Sequence, residues 1–472
     1  MTTQTDLVVL GAGPGGYAAA FYAADLGMNV TLVDLDKNPG GVCLYRGCIP
    51  SKAMLHVAKV VNEAEEAKHW GVEFGKPTIN ADKLFSWKQS VVDKLTSGLG
   101  QLAKARKVRF VQGRGKFLNS TSMEVELTSG GKETLIFKHA VLATGSHPTP
   151  LPGGFESNHL WNSTSALNSG SIPESLLVIG GGYIGLELGS VYAALGTQVT
   201  VVEMAPKLMA GADKDLVQVL EKRIKSKFKN IYVNTKIKNM KDVAQGIEIE
   251  FEFEGEGVKE TKQTFSKVLV SIGRKPNSAN LGLENTKVKI NERGFVNAQN
   301  NLSTDDPHIF AIGDVIGGMM LAHKASHEAR VAVDAISGKR VAFEPQAIPA
   351  VVFTDPEIAW CGLTEDDAKT QGKDVAVVKF PWAASGRAMS IDRTEGLTKL
   401  IIDKTSERIL GVGMVGPNAG DMISEGVLAI EMGATAMDLS LTIHPHPTLS
   451  ESIMEAAELF YGHCTHMYKP KK

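Results

Sequence analysis

The chain has 472 residues, too many for one hydrophobic core, and a working size of about 150 residues per domain divides it into about three. Fifty basic side chains nearly cancel 52 acidic ones, so no broad field draws the protein to nucleic acid or an anionic membrane; small molecules and other proteins are the expected partners. Residues 1–6 (MTTQTD) have no basic or apolar leader character, and no stretch approaches the roughly 20 apolar residues that span a bilayer, so a cytoplasmic protein is expected.

The first element reads "LVVLGAGPGGYAAAFYAADLGMNVTLVD": an apolar strand, a G-x-G-x-x-G turn, an alanine-rich helix and a second strand ending in an acid. The pattern returns as "LLVIGGGYIGLELGSVYAALGTQVTVVE", with Gly11, Gly13 and Gly16 recurring as Gly180, Gly182 and Gly185, an offset of 180 − 11 = 169 residues. In this fingerprint the first glycine makes the turn and the second lets backbone approach a pyrophosphate at the helix N-terminus. The third lets helix pack on strand, and the closing acid, here Asp34 or Glu203, accepts a ribose hydroxyl. Two copies in full context predict two bound dinucleotides. At the second, the carboxylate of Glu203 would repel a 2′-phosphate, and the next cation, Lys207, cannot make the two-pronged contact of an arginine, which favours NAD over NADP.

After the first copy comes "GGVCLYRGCIPSK" (40–52), with Cys43 and Cys48 two of only four cysteines. Close cysteines in a reducing compartment are more often catalytic or metal-binding than a structural disulfide. A zinc site lacks its second pair, since Cys361 and Cys464 are distant singles, and no metal is expected. Pro50 suits the first turn of a helix, and a helix start favours thiolate, against the alternative of two inert core thiols.

Helical stretches are predicted over 53–70 and 82–106, then strands at "VRFVQGRGKF" and "HAVLATGS"; the proline cluster "HPTPLPG" marks a domain boundary. "GIEIEFEFEG" (246–255) alternates with period two and is expected in the second domain's sheet as an antiparallel strand. "VLVSIGRKPN" mirrors the earlier crossing, and "IFAIGDVIGG" ends a strand in Asp314, a ligand for a polyol hydroxyl or a turn aspartate. Beyond residue 343 there is no phosphate loop; helices are expected over 418–433 and 448–461, and a third domain without a cofactor most often serves assembly. "TLSE" reads as a capping box with Thr448 as N-cap and Glu451 at N3, while His463, Cys464 and His466 fall in a mobile tail.

In the order "GAGPGG", "GGVCLYRGCIPSK", "ATG", "GGGYIGLELG", "SIGRKPN", "AIGDV", "MLAHKASHE" and "HPHPTLSE", the chain resembles the flavoprotein disulfide reductases along essentially its whole length. The last two motifs resemble the branch that oxidises dihydrolipoamide. The resemblance implies an α/β protein with two Rossmann-like domains, binding FAD (1–149 and 275–342) and NAD (150–274), and a C-terminal α+β dimerisation domain (343–472). It places flavin contacts on Gly11, Gly13, Gly16, Asp34, Gly41, Lys52, Gly115, Gly145, Asp314 and Ala322, with Glu187 pairing Lys52. Nicotinamide dinucleotide contacts fall on Gly180, Gly181, Gly182, Gly185, Glu203 and Gly273.

The same resemblance makes Cys43 the thiol that exchanges with lipoamide, Cys48 the one against the flavin, His446 the base reaching Cys43 across a homodimer, and Glu451 its orienting acid. The implied activity is oxidation of protein-bound dihydrolipoamide through a redox-active disulfide and FAD, with NAD⁺ reduced. The implied partners are the lipoyl domains and acyltransferase core of 2-oxo acid dehydrogenase complexes, or a glycine-cleavage lipoyl protein. Three departures stand out: Tyr45-Arg46 for the usual Asn-Val, Pro445 for alanine, and Asp34 for glutamate. A cation at Arg46 beside the pair is expected to favour thiolate. The rivals are a glutathione-type reductase, opposed by Glu203, a mercuric reductase, opposed by the single Cys464, and a flavin-bound scaffold without turnover, which has no need of His446 and Glu451.

Overall fold

A computed structural model describes residues 2–253 and 261–468. The chain opens with β1 (Thr2–Leu10), α1 (Pro14–Asp25) and β2 (Val30–Asp34), the predicted strand–turn–helix–strand unit. Two helices separated by Gly47 follow, α2 (Gly41–Arg46) and α3 (Cys48–Glu66), then α4 (Ala81–Ala105). Strands β3 (Arg109–Asn119), β4 (Ser122–Leu127) and β5 (Lys132–Leu142) complete the sheet, in which β3, β2, β1 and β5 run parallel while β4 returns antiparallel between β3 and β5. Leu7, Val8, Val9, Leu32 and Val141 are fully buried because helices cover one face of the parallel part while the outer turns of β3–β5 and residues 281–296 close over the other, which is why those strands read as unbroken apolar runs.

The short β6 (Ser146–Pro148) leads into the second unit: β7 (Leu160–Asn162), α5 (Ser163–Leu167), β8 (Ser175–Ile179), α6 (Tyr183–Ala194), β9 (Gln198–Val202), α7 (Lys214–Ile224) and β10 (Asn230–Tyr232). Next come β11 (Thr235–Val243), β12 (Gly246–Phe253), β13 (Lys262–Phe265) and β14 (Lys267–Val270). The main sheet is parallel in the order β10-β9-β8-β14-β7. The alternating segment differs from expectation: β12 pairs with β11 and β13 in a separate three-stranded antiparallel sheet, burying Ile247, Ile249 and Phe251 against the main one. Its two last expected residues, 254 and 255, lie outside the described residues.

The chain crosses back through β15 (Arg274–Pro276), antiparallel to β6, and β16 (Ile309–Ala311), which joins the first sheet beside β5. Helix α8 (Ala322–Ile336) then packs against α1. The C-terminal unit is an antiparallel sheet in the order β17 (Ala350–Val352), β18 (Glu357–Gly362), β21 (Ile409–Gly416), β20 (Leu397–Asp403) and β19 (Val375–Pro381). Its longer helices are Ala419–Glu431 and Glu451–Phe460. Among the described residues, no helix is long and apolar enough to cross a membrane.

Candidate functional site: two thiols in a dinucleotide cavity

Cys43 sits on α2, and Cys48 is the first residue of α3. Both are free thiols facing the same cavity. The Cys43 thiol donates to Cys48, and this bond, aided by the charge of Lys52 one turn along α3, outweighs burial and holds the Cys48 thiol down at about 7. Cys43 moves the other way, because its proton is held in that bond and burial opposes its charge. Above a pH of about 7 the negative charge of the pair therefore sits on Cys48, with the remaining proton on Cys43.

Lys52 Nζ lies 2.8 Å from Glu187 Oε2, and the other oxygen of Glu187 accepts the Phe353 N–H at 2.9 Å. The Lys52 ammonium is also 4.5 Å from the centre of the Phe353 ring. Glu187 is on α6 and Phe353 follows β17, so one buried carboxylate ties the thiol helix to the second and third units.

The thiols open into a cavity of about 600 Å³. Its lining includes Gly11 and Gly13 at the start of α1, Asp34, Gly41, Lys52, Gly115, Gly145, Glu187, Asp314, and Ala322 at the start of α8. Gly16 does not line it; a Cβ there would lie 1.8 Å from the Gly11 carbonyl, so this glycine lets α1 press onto the turn. Asp34 is held by backbone, accepting from the Ala12 N–H at 2.5 Å and the Asp36 N–H at 2.9 Å, and burial raises its pKa. A FAD fits this set: a phosphate loop at a helix N-terminus, an acid at the ribose position, and thiols and a cation further along one continuous cavity.

The second loop repeats the first bond for bond. Glu203 accepts from the Gly181 N–H and the Ala205 N–H, both at 2.7 Å, as Asp34 does from Ala12 and Asp36. A Cβ on Gly185 would lie 2.4 Å from the Gly180 carbonyl, whereas nothing lies within 4 Å of one on Gly182, leaving the backbone open where a pyrophosphate approaches. Gly273 follows β14 with φ +114, beside this loop. NAD fits here.

His446 and Glu451 lie elsewhere. His446 Nδ1 is 2.9 Å from Glu451 Oε1, the imidazole is 71% exposed, and neither residue lines the thiol cavity of its own chain. Glu451 also accepts the Thr448 N–H at 2.7 Å. Burial opposes its charge, but that amide and His446 hold the carboxyl below its ordinary value. The expected capping box is only half formed: the helix starts at Glu451 with Ser450 before it, and the Thr448 hydroxyl donates to the Pro445 carbonyl.

The model of the pyridine nucleotide-disulphide oxidoreductases matches residues 5–329, and that of their dimerisation domain matches 348–457. A dihydrolipoyl dehydrogenase of Vibrio cholerae is 46% identical, covering 99% of this chain and 98% of its own. The chain belongs to the pyridine nucleotide-disulphide oxidoreductases, in their dihydrolipoyl dehydrogenase branch. Another dihydrolipoyl dehydrogenase, of Geobacillus stearothermophilus, is 45% identical with 98% of each chain covered. Among solved structures, LpdA from Mycobacterium tuberculosis superposes with a TM-score of 0.89 at 25% identity, over 97% of this chain and 99% of that one. The HOCl-induced flavoprotein disulfide reductase RclA from Escherichia coli does so at 0.85 and 25%, over 96% and 99%. As a member of this family the protein is a FAD- and NAD-dependent oxidoreductase carrying a dimerisation domain.

Against the family's motifs, the structure corrects one expectation of charge. Arg46 does not act on the thiols; its guanidinium pairs with Asp36, so that cation is already neutralised. The tail also differs, because the Cys464 thiol donates to Glu455 at 2.6 Å and His466 pairs with the same carboxylate, tying residues 464–466 to the last helix. Sequence reasoning missed Ser146 and Arg274. Ser146 donates to Asp314 at 2.5 Å and accepts from Arg274 at 2.7 Å, and both line the cavity. Their signal was the pair of mirrored crossings, "ATGS" and "SIGR", which the fold lays side by side as β6 and β15. Tyr183, which follows the second glycine of the second loop, also lines the cavity.

Proposed function

We propose that this chain, as a homodimer, oxidises protein-bound dihydrolipoamide by thiol–disulfide exchange at Cys43 and Cys48, with NAD⁺ as the final acceptor. The observation that carries the reading is the pair of free thiols on adjoining helices, with Lys52 one turn beyond Cys48, set in a cavity that continues into a dinucleotide loop. In the oxidised enzyme, one sulfur of dihydrolipoamide attacks Cys43, breaking the Cys43–Cys48 bond. Its second sulfur then displaces Cys43, so lipoamide leaves oxidised and the protein keeps the dithiol.

Each attack needs a deprotonated substrate thiol. His446 of the partner subunit serves as the base, since Nδ1 faces Glu451 and leaves Nε2 to take the proton. Glu451 fixes the tautomer and opposes the charge that develops, as a positioning residue. Lys52 holds the departing Cys48 as thiolate, and Glu187 aims Lys52. FAD in the cavity and NAD⁺ on the second loop supply the route by which two electrons leave the dithiol. In this reading Gly11, Gly13, Asp34, Gly41, Gly115, Gly145, Asp314 and Ala322 serve FAD, a role supported by their lining one cavity, and Gly180, Gly181, Gly182, Glu203 and Gly273 serve NAD, with Gly16 and Gly185 seating the two helices.

The domain division follows at 149/150, 274/275 and 342/343, supported by the return of β16 to the first sheet. The physiological partners in this reading are the lipoyl domains and acyltransferase core of a 2-oxo acid dehydrogenase complex, or a glycine-cleavage lipoyl protein, in a cytoplasm reducing enough to keep the other cysteines as thiols. An anaerobic titration tests the function. Dihydrolipoamide should raise a long-wavelength absorption band from the Cys48 thiolate against the flavin, and NAD⁺ should then discharge it as NADH forms. A FAD-loaded protein showing neither change is not this enzyme.

A further inference from the structure

Tyr45 and Arg46 separate the two cysteines in sequence, yet both side chains reach back to the segment that follows β2. Arg46 donates from its two terminal nitrogens to the two oxygens of Asp36, at 3.0 and 2.5 Å, a two-pronged fork. The Tyr45 hydroxyl accepts the Asn38 N–H at 3.1 Å and lies 3.2 Å from its carbonyl, and the Arg46 guanidinium sits 5.7 Å from the Tyr45 ring centre. The Asp36 N–H donates to Asp34, whose other oxygen takes the Ala12 N–H, so a continuous line of bonds runs from α2 to the phosphate loop. Asp34, Asp36 and Arg46 all line the large cavity. Helix α2 has only six residues and buries only Gly41 and Leu44, too little to seat itself.

We infer that Arg46 and Asp36 form a clasp at the adenosine end of the cavity, a positioning pair that anchors the Cys43 helix to the ribose-binding turn and slows escape of FAD. The inference rests on the reading that FAD occupies this cavity with its ribose at Asp34. The clasp acts by position and not through the thiols, because Asp36 neutralises the guanidinium.

The test uses full-length holoenzyme carrying Arg46→Met, Asp36→Asn or Arg46→Lys. Release of FAD on dilution is followed by the rise in free-flavin fluorescence, with the melting temperature of each apoprotein measured alongside. Arg46→Met and Asp36→Asn should each hold FAD about tenfold more weakly, the loss expected when a charge-assisted fork is broken. Arg46→Lys, which keeps the charge without the fork, should fall between. Apoprotein melting should stay at the wild-type value, and the pH midpoint of Cys48 ionisation should not move in Arg46→Met. Retention within about twofold of wild type in both single variants overturns the clasp. So does an apoprotein melting loss that accounts for the release, or a moved Cys48 midpoint. A wild-type protein that binds no FAD is a different result, which removes the cavity assignment itself.

Discussion

The Cys48 thiol is held at about 7 instead of its ordinary 9.0, and the largest cause is one hydrogen bond from Cys43. Cys43→Ala deletes that donor, and because loss of hydration outweighs the charge of Lys52 among the causes that remain, the midpoint should rise from about 7 to 9.0 or above. Adding Lys52→Met removes the largest remaining stabiliser of the thiolate and should raise the midpoint further. The sign is that of a lowered acid: Cys48 is thiolate above its midpoint and gains a proton as the pH falls through it. At pH 7 the thiolate fraction is about a half in wild type and about one hundredth for a thiol at 9, so the double variant should lose nearly all of a thiolate signal at neutral pH and regain it in alkali. The assay is the pH dependence of the long-wavelength band, read in the dithiol form of wild type and directly in the single-thiol variants. A midpoint that stays at about 7 in Cys43→Ala would refute the assigned division of proton and charge.

His446→Gln should slow lipoamide turnover by roughly 10² to 10⁴, the value of a lost general base, while NADH-to-dye electron transfer continues. Equal loss of both activities would instead make His446 a residue of folding or dimerisation. Gly185→Ala places a Cβ where 2.4 Å separates it from the Gly180 carbonyl and should raise the KM for NAD⁺ about tenfold by displacing α6, as read by steady-state kinetics. Lys399 is fully buried between Asp213, Asp215 and Glu365 at 2.6, 2.8 and 2.9 Å, but Lys379 also serves Asp215 and Glu365. Lys399→Met should therefore cost about 3 kcal/mol, the lower end for breaking a buried charge pair, measured by denaturant unfolding.

Both dinucleotide units were legible because their chemistry is local. A turn, a helix start and a closing acid must follow one another at fixed spacing, and the hydrogen bonds of Asp34 and Glu203 reproduce the 169-residue repeat one for one. The thiol pair was legible for the same reason, being five residues apart at a helix start. The direction of the Arg46 charge was not, because adjacency along the chain says nothing about where a long side chain turns. Only the tertiary fold puts Asp36 within its reach. The antiparallel sheet of β12 was missed because period two identifies a strand but not its neighbours.

What the amino-acid order by itself determined is therefore the set of short-range devices: two phosphate loops, a reactive dithiol, and a histidine with an acid five residues on. What only the tertiary structure decided is how those devices meet. It closes a single cavity from residues as distant as Gly11 and Ala322, locks Lys52 to Glu187 across 135 residues, and sets His446 on the surface away from its own chain's thiols. These pairings depend on the packing of whole sheets and helices, which no local spacing encodes.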